Sequence, residues 1–244
     1  MITVDADIGS SIKRCHFALV PSQKFSITPN LVAHSELFRC DWRHLEPDPC
    51  MADGGDYRSR RYGVFQYSAA SRRLTHMPGT SYHQSIEINP LNGGEHRQFA
   101  PLDARTINNP FLHAVIQFDF AQLASSNHMA GDWLIGVHQI RIIATPGAPG
   151  NPTPEGTHRD DEKYTSQHLM ARHNIDGGIN YFYGNGLRPT ESPEAAWEQQ
   201  TYFDSYYFDS SLWHSVSPIV SAKCNGGGHR DVLLIDFVKP SRVN

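Results

Sequence analysis

The chain contains no apolar stretch near the ~20 residues that cross a membrane, no internal repeat and no low-complexity segment. Its first residues, MITVDADIGSSIKRCHFALV, carry acidic groups early and lack the continuous apolar core of a secretory signal. A cytoplasmic protein without a membrane partner is therefore expected. Positive charge is not in excess. The 21 Lys and Arg against 25 Asp and Glu leave a formal net charge of −4, so a nucleic-acid backbone finds no basic footprint. Cysteine is also scarce. Cys15, Cys40, Cys50 and Cys224 show neither CxxC pairing nor zinc-ribbon spacing, and they are too few for a disulfide scaffold of this length. They are expected as reduced thiols.

What is present describes an ordinary globular protein, at 39% hydrophobic and 19% charged residues. Its 244 residues suit a single domain, here read as an N-terminal helical and loop extension over 1–50 and a core over about 55–240. Gly 19, Pro 16 and Tyr 10 favour strands and turns over a helix bundle. Fourteen histidines make a metal or proton-transfer site worth seeking. Nothing in the residues specifies an oligomer.

Along the chain, Thr28-Pro29 starts a helix with Leu31, His34, Leu37 and Phe38 on one face. Strand-like alternation follows over Tyr57–Phe65. Asn109-Pro110 opens a second helix with Phe111, Val115, Phe118 and Leu123 on its buried stripe. Beyond it, strands are expected at Trp133–Ala144, His158–Asp160, Gln167–Met170, Tyr206–Val216 and Arg230–Val238, with one helix over Ser192–Gln200. Short strands with long turns point to an antiparallel barrel or jelly roll, mostly β with flanking helices.

The chemistry centres on Thr157-His158-Arg159-Asp160. Side chains alternate along a strand, so His158 and Asp160 share a face while Arg159 and Asp161 point away. His214, inside the apolar segment Leu212–Val216, is the candidate third ligand. Two histidines and one carboxylate are the facial set of a mononuclear iron(II) site, which leaves adjacent positions open. The bland alternative is a surface pair without a metal. Arg230 begins the apolar segment Arg230–Phe237. Burying it requires an anion, either a bound carboxylate or a structural partner such as Asp231 or Asp236. His168 and His229 are ordinary core or surface histidines on this reading.

Several segments then carry a resemblance: Arg58-Ser59-Arg60-Arg61-Tyr62, Gly93-Gly94-Glu95-His96-Arg97-Gln98-Phe99, and Ile135-Gly136-Val137-His138-Gln139-Ile140-Arg141. They continue through His158-Arg159-Asp160-Asp161-Glu162, His168-Leu169-Met170, Gly177-Gly178, His214-Ser215-Val216-Ser217-Pro218 and Arg230-Asp231-Val232-Leu233-Leu234. In this order they resemble the 2-oxoglutarate-Fe dioxygenases typified by bacterial L-isoleucine 4-hydroxylase, from about Arg58 to Phe237. The resemblance implies a double-stranded β-helix, a cupin-like jelly roll that brings His214 to His158. It implies Fe(II) on His158, Asp160 and His214, with Arg230 gripping the far carboxylate of 2-oxoglutarate and O2 as the second co-substrate. The implied reaction is hydroxylation of an aliphatic C–H of a free L-amino acid or close analogue, a small-molecule substrate. Asp160 argues against halogenation, whose enzymes lack that carboxylate.

Substrate recognition is the open part. His138 and Arg141 lie on opposite faces of one strand, so one of them faces the interior. Arg58, Arg60, Arg97 and Arg141 all compete for a substrate carboxylate. The Pro/Gly-rich loop Thr145–Gly156, Ile142, the Ser192–Gln200 segment and the aromatic run Tyr202 to Phe208 depart from the relatives' pattern, as pocket or lid elements can. The same oxygenase chemistry on a natural-product intermediate, ending in hydroxylation, desaturation or cyclisation, is the alternative. A non-catalytic metal-binding jelly roll is a third, and it has no use for Arg230.

Overall fold

The computed structural model describes residues 1–79, 81–84, 94–127, 129–223 and 226–239; Gly93 and Cys224 lie outside them. The N-terminal segment proves to be more than helix and loop. Strand β1 (Ile2–Val4) pairs with β3 (Phe25–Ile27), and helix α1 (Ile8–Cys15) and strand β2 (Phe17–Val20) run between them. Asp7 caps α1 by accepting from the Ser10 N–H at 3.0 Å, a contribution of about 1 kcal/mol. β2 alternates half-buried and buried residues and joins the edge of the main sheet. Helix α2 (Pro29–Arg39) begins with proline in its first turn. Leu31 and Phe38 are buried but Leu37 is 65% exposed, so the four residues do not share one environment, and the inward face turns on Leu31, Ser35 and Phe38.

Strand β4 (Glu46–Pro47) leads to β5 (Arg58–Ser68), which pairs with β6 (Arg73–Met77) and with β7 (Ala100–Pro101). Two helices follow, α3 (Ala104–Ile107) and α4 (Pro110–Asn127). Asn109 starts α4 by accepting from the Phe111 N–H at 2.8 Å. The expected stripe of Phe111, Val115, Phe118 and Leu123 is buried, and so are Leu112, Ile116 and Phe120. The reason is that α1 and α2 cover the face that the sheet does not.

The rest of the chain is strand: β8 (Asp132–Ala144), β9 (Tyr164–His173), β10 (Ile175–Gly177), β11 (Ile179–Phe182), β12 (Ala195–Glu198), β13 (Ser205–Asp209), β14 (His214–Val216), β15 (Ile219–Ser221) and β16 (Gly228–Val238). The main sheet runs β2-β13-β9-β16-β8-β5-β4, and the smaller sheets β12-β11-β14 and β10-β15 complete a jelly roll with it. Three sequence expectations change here. The helix read over Ser192–Gln200 is strand β12, because the edge of β11 offers Ala195–Glu198 a ladder that outweighs its capping signature. Tyr206–Val216 is not one strand but two, β13 in the main sheet and β14 in the opposing one. His158 forms only an isolated bridge to His214, and Asp160 lies in the following loop.

The register of the main sheet sets the inner face. Across β5, β8 and β16, Arg58, Ile142 and Arg230 form one row and Arg60, Ile140 and Val232 the next. Tyr62, His138 and Leu234 follow. Period two sends the intervening residues Val137, Leu233 and Ile235 outward, into the core shared with the helices. Cys15, Cys40 and Cys50 are free thiols. Among the described residues no helix is long and apolar enough to cross a membrane.

Candidate active site

A cavity of about 110 Å³ opens between the sheets, and its walls include His158, Asp160, His214 and Arg230. Ligand atoms of the two histidines and the aspartate all lie within 4.8 Å of one another. His158 Nε2 stands 3.5 Å from Asp160 Oδ1, and His214 Nε2 stands 3.8 Å from Asp160 Oδ2. His158 Nδ1 meets the Gly156 carbonyl at 2.9 Å and His214 Nδ1 meets the Leu212 carbonyl at 3.5 Å. A carbonyl can only accept, so each Nδ1 carries the proton and each Nε2 lone pair is left for a metal. Arg159 turns outward to the Asn185 carbonyl and the Trp213 ring. A two-nitrogen, one-carboxylate set with both rings oriented in this way fits iron(II).

Without a cation the three groups act on each other. Burial disfavours a charged His158, but the hydrogen bond and charge of Asp160, with Glu155 nearby, outweigh it and hold the imidazole up at about 9. Burial and the charge of His158 push His214 down to about 4. Asp160 resists burial because both imidazoles favour its anion. A bound cation displaces the proton between them.

Two acidic residues near the triad were given no role in the reading of the sequence, although Glu162 closes one of the matching segments. Glu155, in the Pro/Gly-rich loop, places Oε1 3.6 Å from His158 Nε2 and leaves its buried Oε2 without a partner. Its position three residues before His158, on the loop that roofs the ligands, was the available clue. Glu162 accepts from the Tyr82 hydroxyl at 3.0 Å, and burial with the charge of Asp160 raises its carboxyl to about 7.

Arg230 is 1% exposed. Neither anticipated structural partner holds it. Arg141 clamps Asp231 with two bonds of 2.7 Å, and Asp236 meets His138 at 2.7 Å. Arg230 donates to Gln199 Oε1 at 2.7 Å and Asn180 Oδ1 at 3.3 Å, and its Nε has no partner. Burial draws its guanidinium down from the ordinary value. The Tyr206 hydroxyl also approaches it, and a buried cation with no carboxylate partner among the described residues suits an incoming carboxylate.

The remaining candidates divide. Arg141 and its partner Asp231 face a different, outer pocket with Arg39 and His229. His138 is fully buried behind the cavity wall, stacked on Tyr62. Burial and then Arg60 push His138 well below its ordinary value. Arg60 donates to its Nδ1, so the proton sits on Nε2 and is donated to Asp236. Arg58, Arg60 and Arg97 do line the cavity. His168 belongs to a core network with Asp119 and Ser205.

A jelly roll with a two-histidine, one-carboxylate cluster in its cavity defines the class of mononuclear non-haem iron oxygenases. Residues 39–236 match the model of the 2OG-Fe dioxygenase family, and the chain belongs to that family. It is 29% identical over 199 residues to L-isoleucine-4-hydroxylase of Bacillus thuringiensis, covering 81% of this chain and 80% of that one. In structure it resembles IDO from Bacillus thuringiensis, with a TM-score of 0.78, 22% identity and coverage of 96% and 98% of the two chains. It also resembles a bsmA homologue from Methylobium petroleophilum, with a TM-score of 0.79, 23% identity and coverage of 97% and 95%. The family requires Fe(II), 2-oxoglutarate and O2.

Proposed function

We propose that this dioxygenase hydroxylates an aliphatic C–H bond of a free L-amino acid or close analogue. Fe(II) is assigned to His158, Asp160 and His214, and the far carboxylate of 2-oxoglutarate to Arg230. The observation that carries the co-substrate assignment is the buried guanidinium of Arg230, which has no carboxylate partner among the described residues and faces the cavity of the triad. Support for an amino-acid substrate comes from the relative that bears an isoleucine hydroxylase name.

With Fe(II), 2-oxoglutarate and O2 bound, the site supplies the oxidation that turns C–H into C–OH while 2-oxoglutarate becomes succinate and carbon dioxide. The protein's share is placement. The Gly156 and Leu212 carbonyls fix both imidazoles. Arg230, with Asn180 and Gln199 behind it, sets the position of the co-substrate's far end. Phe208, 4.5 Å from the His214 ring, and Val216 keep water from that side of the ligands.

The test is a panel of L-amino acids with Fe(II) and 2-oxoglutarate, read by succinate release and by mass spectrometry. One amino acid should gain one oxygen in step with succinate. Succinate release without oxygen gain in any amino acid would leave the family chemistry standing and end the substrate assignment.

A further inference from the structure

Four arginines face or approach the cavity, and their surroundings rank them. Arg58 Nε meets Asp48 Oδ2 at 2.6 Å, so its charge is answered inside the protein. Arg230 sits at the co-substrate end. Arg60 and Arg97 are different: they are 7% and 6% exposed, and no carboxylate lies within 4.0 Å of either among the described residues. Arg60 spends donors on a neutral acceptor, His138 Nδ1 at 2.5 Å. Arg97 donates to Gln84 Oε1 at 2.8 Å, and its buried Nε has no partner.

The two guanidinium groups share an aromatic bracket. Arg60 lies 4.1 Å from the Phe99 ring centre and 5.2 Å from that of Tyr82, and Arg97 lies 5.7 Å and 4.8 Å from the same two rings. Contacts of this kind return less than the cost of burying two like charges side by side. Asp160 cannot answer them once it holds a cation. Asp236 is engaged by His138 and Thr165. Among the described residues no other carboxylate answers the pair, and an anion brought in from outside would complete it.

Position separates this anion from 2-oxoglutarate. Arg60 stands on β5 and Arg230 on β16, with β8 between them. Two strand spacings put their backbones roughly 10 Å apart across the sheet, with one further step along it. The face between them is apolar, formed by Ile140, Ile142 and Val232.

We propose that Arg60 and Arg97 form a cradle for the carboxylate of the prime substrate, so that the enzyme accepts free aliphatic acids and rejects their amides and esters. His138 is a positioning residue: it takes the Arg60 hydrogen bond on Nδ1 and is itself oriented by Asp236. The cradle deepens the amino-acid reading above and rests on it for the aliphatic amino-acid skeleton alone.

The test is anaerobic calorimetry on the Fe(II), 2-oxoglutarate-loaded full chain. The probes are L-isoleucine, L-leucine and L-valine, their carboxamides, and 4-methylpentanoate, which keeps the carboxylate and lacks the amino group. The acids should bind, and the carboxamides should bind about 100-fold more weakly. Arg60→Gln and Arg97→Gln should each weaken acid binding by a similar factor while binding 2-oxoglutarate as the unaltered protein does. Arg97→Lys, which keeps charge and loses the fork, should fall between. The acid-against-amide comparison needs no variant and stands even if one misfolds. Equal binding of acids and amides, no binding by any acid, or variants whose loss is in 2-oxoglutarate would overturn the cradle. If 4-methylpentanoate binds through both arginines and no amino acid does, the cradle stands and the amino-acid reading falls.

Discussion

His158 and His214 exchange both backbone hydrogen bonds of an antiparallel bridge, at 3.0 and 2.9 Å, although they lie far apart in the chain. The bridge places both imidazoles over the same carboxylate before any metal arrives. It is made by backbone atoms, so changing either side chain leaves it intact. His158→Ala or His214→Ala is therefore expected to keep the far-UV circular dichroism spectrum and to bind Fe(II) at least about 100-fold more weakly. Iron retained after anaerobic dialysis measures this. Retention of stoichiometric iron by either variant would remove that residue from the ligand set.

Arg230→Met should raise the KM for 2-oxoglutarate by about 100-fold, the usual scale for losing a buried charged partner, with bound iron unchanged. Arg230→Lys should recover part of it, because a lysine supplies the charge without the fork. Arg141→Met is the contrasting variant. It strips the clamp from Asp231 on the outer face, so melting temperature should fall while the KM for 2-oxoglutarate stays put.

Gly178 has a φ of +71°, and a Cβ there would meet Ile219 Cγ2 at 3.0 Å and Arg230 Cδ at 3.3 Å. Gly178→Ala strains the backbone by roughly 1–2 kcal/mol and presses on the Arg230 stem. The expected result is a several-fold higher KM for 2-oxoglutarate with iron affinity preserved. A variant with lower stability and unaltered kinetics would show that the stem yields without moving the guanidinium.

Asp119, fully buried on α4, accepts from Ser166 at 2.7 Å and from the Tyr207 hydroxyl at 3.0 Å, and meets His168 Nε2 at 2.8 Å. His168 Nδ1 meets the Ser205 hydroxyl at 2.7 Å. Although Asp, His and Ser stand in hydrogen-bonded order, His168 and Ser205 are fully buried and none of the three lines the catalytic cavity. The group ties helix to sheet. Asp119→Ala strands three polar partners and should cost about 3–5 kcal/mol, which at this chain length lowers Tm by roughly 6–20 °C. Calorimetry reads the shift, and Fe(II) affinity should not change.

The cluster of His158, Asp160 and His214 was legible in the residues because a short motif and its chemistry coincide. Alternation pointed to Asp160 over Asp161, although Asp160 lies in a loop and not on a strand, and an imidazole in an apolar segment marked His214. The class of fold was legible for a similar reason, since strand and turn residues dominate the second half. Strand β12 was not, because its Ser-Pro-Glu start is a helix signal and only the waiting edge of β11 decided otherwise. The break between β13 and β14 was missed although Asp209-Ser210-Ser211 is a turn signal, and which sheet each half joins is decided only by the fold.

Residue type alone therefore determined which groups could bind a metal and an anion, and it left Arg58, Arg60, Arg97 and Arg141 equivalent. Tertiary structure separated them by supplying partners: Asp48 for Arg58, Asp231 for Arg141 and, among the described residues, only neutral acceptors for Arg60 and Arg97. An arginine's role depends on the nearest carboxylate, and which carboxylate is nearest is a property of strand register, set by pairings between residues remote in the chain.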